Sequence, residues 1–255
     1  TSHEIAHTWF QFLLATNESK HAWMDEGFTS YIDDAALNET LGLNKVVPNK
    51  SAYDRYLSWV ATGLEEPLTT HADRYKFSRG YGASSYSKGS VFLSQLGYII
   101  GEKNLYKTLK HYFKEWSFKH PRPYDFIRSA ERVSGLELDW YLMDWAQTTK
   151  QLDYQVNSII GEGGKTKIVL KREKQMPMPI DVEVVLNDGS SVFYNIPLTM
   201  MRGHRPLAGF RLLESWSWAQ PYYIFEVDFP KDSIREVVID PLNFTADVNR
   251  KNNRL

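Results

Sequence analysis

The sequence predicts an α+β chain in two parts, a helical half over residues 1–150 followed by a small β-sandwich over residues 151–255. Up to about residue 150, apolar residues recur at i, i+3, i+4 spacing in stretches punctuated by Gly and Pro, the pattern of amphipathic helices packed on one another. From about Asp153 the period drops to two, in short β-branched and aromatic runs separated by turn residues. With 255 residues, 42% hydrophobic and 14% aromatic, the chain is long and apolar enough for one large or two modest cores.

Taken in order, the first helix opens at residue 3, with Thr1 or Ser2 as its cap and Glu4 near the positive end of its dipole. Ile5, Ala6, Trp9, Phe10, Leu13 and Leu14 surround it with apolar side chains and predict a largely buried helix. A second helix spans about His21 to Leu41 and stops at Gly42. A third follows Pro48 and carries Tyr53, Tyr56, Leu57 and Val60. The polar stretch Gly63 to Arg79, broken by Pro and Gly, reads as a connection that skirts the site. A long helix from about Ser84 to Ile100, stopped by Gly101, places Tyr86 in its first turn. Further helices are expected at 102–117, at 123–133 after Pro121 and Pro123, and at 137–149.

The β half contains six clear runs: Tyr154 to Ile160, Lys165 to Lys171, Ile180 to Leu186, Val192 to Ile196, Tyr222 to Val227 and Ile234 to Ile239. Gly161 to Gly164 and Asn187-Asp188-Gly189 are hairpin loops. Met176-Pro177-Met178-Pro179 reads as the approach to a strand, since Pro is confined to edges and first strand positions. Asn249 to Leu255 reads as a polar tail.

Composition removes several function classes. Thirty basic against thirty-one acidic side chains leave no long-range attraction to nucleic acid or to an anionic membrane. No apolar run reaches the roughly twenty residues a membrane span needs. The absence of cysteine excludes disulfides, thiolate metal sites and cysteine nucleophiles. The chain starts two residues before a histidine and without an initiator methionine, so it reads as part of a longer polypeptide with domains upstream. No compartment is assigned by these residues, a periplasmic or secreted one being favoured over the cytoplasm.

The chemistry is concentrated at the start. His3, Glu4 and His7 form H-E-x-x-H, which on a helix sets two imidazoles one turn apart on one face, where they can share a zinc ion. Glu4, about 100° round the helix from His3, is placed to act on a zinc-bound water as general base and not as a ligand. Taken alone, the motif is equally compatible with a polar helix start carrying two solvated histidines. Glu26, nineteen residues after His7, supplies a third ligand from the second helix and leaves the fourth zinc position open, the catalytic pattern and not the closed structural one.

The run His3-Glu4-Ile5-Ala6-His7-Thr8-Trp9-Phe10, its eighteen-residue spacer and Asp25-Glu26-Gly27-Phe28 resemble the gluzincin zinc aminopeptidases, the aminopeptidase N and leukotriene hydrolase family. Ser85-Tyr86-Ser87-Lys88-Gly89 resembles that family's second signature, in which the tyrosine is catalytic. The resemblance implies a thermolysin-like helical catalytic subdomain, cut at its N-terminus, before the β-sandwich. It also implies one zinc ion on His3, His7 and Glu26, with Glu4 as base, Tyr86 stabilising the oxyanion and peptides as substrates. Asp33, seven residues after Glu26, resembles an acidic residue of the family and is assigned to orient a ligand, whereas Asp25 reads as rotated away from the metal.

Two departures matter. Gln11-Phe12 stands where most members have Gly-Asn, which points to an altered pocket. The Gly-x-Met-Glu-Asn strand, whose glutamate binds the free amino group of the family's substrates, does not occur in the chain. Release of N-terminal residues therefore rests on the resemblance. A zinc endopeptidase and a catalytically inactive binding or scaffolding module are the alternatives.

Overall fold

A computed structural model describes residues 2–255. The chain resolves into two compact units, Thr1–Thr149 and Lys150–Leu255. Among the described residues, the first carries eight α-helices: α1 Ser2–His7, α2 Phe28–Thr40, α3 Lys50–Val60, α4 Ser78–Gly82, α5 Gly89–Ile100, α6 Glu102–Trp116, α7 Pro123–Ser134 and α8 Asp139–Gln147. No helix among the described residues is long and apolar enough to cross a membrane.

Stretches of wider, π-type turn interrupt this pattern beside motif residues: Thr8–Leu13 continues α1, Trp23–Gly27 leads into α2, and Ala83–Lys88 joins α4 to α5. A π turn inserts one residue into the helical register and is frequent at functional sites. The helix predicted from Ser84 therefore begins at Ser78, and Tyr86 lies inside a π stretch and not in a first turn. Apolar periodicity cannot reveal this, because one inserted residue leaves the pattern on either side intact.

The core beneath these stretches is aromatic. Trp23, Phe28, Phe92, Tyr112, Phe126, Tyr141 and Trp145 are almost completely buried. Trp23 meets Phe92 edge-on at 4.8 Å and Phe28 meets Phe126 at 4.7 Å, separations at which aromatic pairs gain about 0.5–1.5 kcal/mol beyond burial. Trp23 and Phe28 flank Asp25 and Glu26, so this core fixes the backbone that presents both carboxylates. The prediction of a largely buried first helix is corrected. Ala6, Phe10 and Leu14 face inward, but Ile5, Trp9 and Phe12 are 56%, 44% and 69% exposed. Of the two proposed caps, Thr1 lies outside the described residues, and Ser2 is the first residue of α1, its hydroxyl donated to Asp33.

The second unit holds two sheets. β1 (Tyr154–Glu162), β2 (Lys165–Arg172) and β6 (Tyr222–Val227) form an antiparallel sheet in the order β1-β2-β6. The other has the order β5-β4-β3-β7, from β3 (Ile180–Leu186), β4 (Ser191–Ile196), β5 (Phe210–Leu212) and β7 (Ile234–Ile239). Ile168, Leu170 and Phe225 of the first sheet and Val182, Val184, Tyr194 and Val237 of the second are buried. Tyr194 meets Phe225 across the layers at 5.4 Å, as in a sandwich.

The first hairpin is tighter than predicted. Only Gly163 and Gly164 are turn residues, both at positive φ, and Glu162 already pairs with Lys165, as a two-residue primed turn requires. Met176 and Met178 are buried, and the Met178 backbone exchanges hydrogen bonds with the Tyr154 hydroxyl at 3.0 and 3.1 Å. The C-terminal stretch is no free tail: Val237 and Leu255 exchange both backbone hydrogen bonds, and Ile239 N–H donates to Asn253 at 2.7 Å. Pairing there covers an edge of β7 that would otherwise present unsatisfied backbone groups.

Candidate metal centre

His3 and His7 lie one turn apart on α1, their rings 4.8 Å apart and nearly perpendicular. Glu26, from the Trp23–Gly27 stretch, places Oε2 3.2 Å from His3 Nε2 and 3.4 Å from His7 Nε2. One ligand atom from each of the three residues falls within a 4.8 Å cluster. Glu4 and Tyr86 line the same cleft, which has a volume of roughly 930 Å³.

The back of the cluster is built by a residue that sequence reasoning set aside. His7 Nδ1 lies 2.6 Å from Asp25 Oδ1 and 3.3 Å from the Thr29 hydroxyl. The Asp25 carboxylate beside Nδ1 favours a proton on that nitrogen and leaves Nε2 as the lone-pair nitrogen turned toward Glu26. Asp33 lines the cleft, but the partner it takes is the Ser2 hydroxyl and not an imidazole. The α-helical wheel turns Asp25 away from the metal. The actual backbone is π-type at Trp23–Gly27, so those angles do not apply. Burial raises the Asp25 carboxyl to about 6, with the nearby His7 pulling it down and Glu26 pushing it up.

Tyr86 stacks on His3 with ring centroids 5.9 Å apart and planes 19° from parallel, and Tyr81 meets Tyr86 edge-on at 6.3 Å. Partial burial, then the hydrogen bond and charge of Glu26, push the Tyr86 phenol above its ordinary range. The two signatures touch through their glycines. A Cβ on Gly27 would lie 2.5 Å from Gly89 Cα and 2.9 Å from the Ser85 carbonyl oxygen, and a Cβ on Gly89 would lie 2.9 Å from Gly27 Cα. Only glycine at both positions lets the stretches carrying Glu26 and Tyr86 cross this closely.

Carboxylates dominate the cleft. Glu4, Glu26, Asp33, Asp34 and Asp54 face it against Arg55 and Arg79, a negative balance suited to cationic occupants. Gln11 and Phe12, expected to reshape the pocket, are not among its lining residues; Gln11 instead donates to Glu18 at 2.9 Å. The connection from Gly63 to Arg79 reaches the cleft at Arg79, while its middle is held to the body by Thr69 N–H on the Ala146 carbonyl and Ala72 N–H on that of Ser19.

Two histidine nitrogens, a carboxylate oxygen and an open cleft define a centre able to hold a metal. Residues 1–145 match the peptidase family M1 domain, and the chain belongs to that family. Aminopeptidase M1-A of Oryza sativa subsp. japonica is 24% identical over 66% of the chain and 19% of its own length. Leucyl aminopeptidase of Saccharolobus solfataricus is 24% identical over 78% of the chain and 24% of its own length. The chain thus spans about a fifth to a quarter of these relatives. Among solved structures, aminopeptidase A of Legionella pneumophila in complex with aspartic acid aligns over 96% of the chain and 26% of its own, with a TM-score of 0.61 at 14% identity, a likeness of fold.

Proposed function

We propose that this chain carries the catalytic centre of a zinc-dependent peptidase that releases residues from the amino termini of peptides. The observation that carries the reading is the convergence of His3, His7 and Glu26 on the cleft that Glu4 and Tyr86 also line. The donor set fits the metal. Zinc bonds of about 2.0–2.1 Å in tetrahedral arrangement set ligand atoms roughly 3.3 Å apart, and Glu26 Oε2 lies 3.2 and 3.4 Å from the two imidazole nitrogens. Held by these three residues, zinc would supply a Lewis acid that polarises a carbonyl and acidifies water.

The chain's own groups perform the remaining work. Glu4 takes a proton from the attacking water and returns it to the departing amine. Tyr86 donates its hydroxyl to the oxygen on which negative charge develops, a contribution of about 10²–10³ in rate for such donors. Asp25 holds His7 in the tautomer that turns Nε2 toward Glu26. The excess of carboxylates in the cleft favours a substrate that brings a positive charge, as a free α-ammonium group does.

The test uses the protein with whatever flanking sequence its native polypeptide carries. Release of the first residue from a free peptide, with no cleavage of its N-acetylated form, is expected. Glu4→Gln should lower turnover about 10²–10⁴-fold while leaving zinc content unchanged. Equal cleavage of the acetylated peptide would instead indicate an endopeptidase, and unchanged turnover in Glu4→Gln would remove the assigned base.

A further inference from the structure

The helical run that presents Tyr86 to the cleft is pinned at its other side by a buried charge. Lys88 is completely buried, a rare state for lysine unless it is paired. Its Nζ donates to Glu65 Oε1 at 2.7 Å and to the Thr148 carbonyl at 3.2 Å, and it lies 5.7 Å from the Tyr56 ring. Glu65 is itself only 5% exposed at its side chain. The Tyr56 phenol is pushed far up, by burial and then by the Glu65 carboxylate. One ammonium thus gathers α3, the connection after it and the residue following α8.

Such a pair is a poor way to gain stability. A buried ion pair loses much of its attraction to desolvation, and apolar replacements of both partners are often neutral or better. Its distinguishing property is direction, because an ammonium donates to several fixed acceptors at once. Tyr86 and Lys88 are two residues apart, roughly opposite sides of a helix. Accordingly, Tyr86 lines the cleft and Lys88 lies in the core. Both lie within the π turn Ala83–Lys88, Lys88 as its last residue. Its relaxation to α register would shift the helical phase across the turn by one residue, about 100° of rotation, and so disturb the stack of Tyr86 on His3.

We propose that Lys88, tethered to Glu65 and the Thr148 carbonyl, is a positioning residue that holds this π register and thereby sets the Tyr86 phenol against the His3–Glu26 cluster. The inference rests on the peptidase reading for its kinetic arm only. Lys88→Met alone would strand the Glu65 carboxylate, so the decisive variant is Glu65→Gln/Lys88→Met, which removes both charges.

The variant should unfold near the wild-type temperature yet show kcat reduced about 10–100-fold at unchanged KM, a large part of the about 10²–10³ that such a donor contributes. Tyr86→Phe should then cost less in the variant than in the wild type, because the phenol is already displaced. Amide exchange should accelerate in residues 83–88 and stay unchanged in residues 2–13 and 22–27. Wild-type exchange in residues 83–88, or an undiminished Tyr86→Phe penalty, would overturn the proposal. A wild-type protein that cleaves no peptide would defeat the peptidase reading, and the exchange measurement would still decide the tether.

Discussion

Asp25 touches the ring nitrogen of His7 that faces away from Glu26, so its effect should appear in metal affinity before anything else. Partners of this kind typically contribute 10–100-fold in affinity. Asp25→Ala should weaken zinc binding by about that factor in a competition titration with a chromophoric chelator. Asp33→Ala, which removes the partner of Ser2, should leave zinc affinity close to wild type. Legibility differed between these two aspartates for a physical reason. His3, Glu4, His7 and Glu26 are specified by spacing along helices and by the donor chemistry of zinc, both readable without coordinates. Which aspartate backs the histidine depends on a local change of helical register, and no residue type encodes that change. Glu65 was hidden in the same way, inside a polar connection whose role becomes visible only when Lys88 is found buried beside it.

The paired glycines govern the next scale. Gly27 and Gly89 allow the Glu26 and Tyr86 stretches to cross with backbone atoms in contact, and a methyl group there has nowhere to go. Overpacking typically costs about 1–3 kcal/mol, and here the opposing atoms are backbone, which yields less than a side chain. Gly27→Ala should therefore lower the unfolding temperature and cut turnover more than Gly82→Ala, whose added Cβ would meet nothing within 4 Å. Calorimetry and initial rates on the two variants check this. The helices themselves were legible. Pro123 at the first position of α7 and Gly101 at the end of α5 mark boundaries close to those observed. Their internal irregularities were not, since the apolar side chains that define a helical face tolerate one extra residue per turn.

For the molecule as a whole, the change of hydrophobic period near Asp153 announces the second unit. Its sheet order depends on contacts far apart in sequence. The three-residue β5 and the pairing of Leu255 with Val237 carry no periodic signal, so they appear only once the sheet exists.

The second unit also makes stability depend on pH. Burial raises the Asp247 carboxyl to about 6 despite its acceptance of the Tyr154 and Asn249 N–H groups. Its ordinary value is about 3.9, so the folded state holds this proton more tightly than the unfolded state. The resulting stability is complete below about pH 4 and is lost as pH rises through about 6. Denaturant unfolding between pH 4 and pH 7 should show the wild type losing about 1–3 kcal/mol more than Asp247→Asn. Parallel curves would remove Asp247 as the cause.

Whether His3, His7 and Glu26 act together as one metal site is tested most directly by equilibrium dialysis against zinc followed by elemental analysis. One zinc per chain is predicted for the wild type, with none retained by His3→Ala/His7→Ala at the same free zinc concentration. A wild type that retains no zinc, or a double variant that retains as much as the wild type, would contradict it.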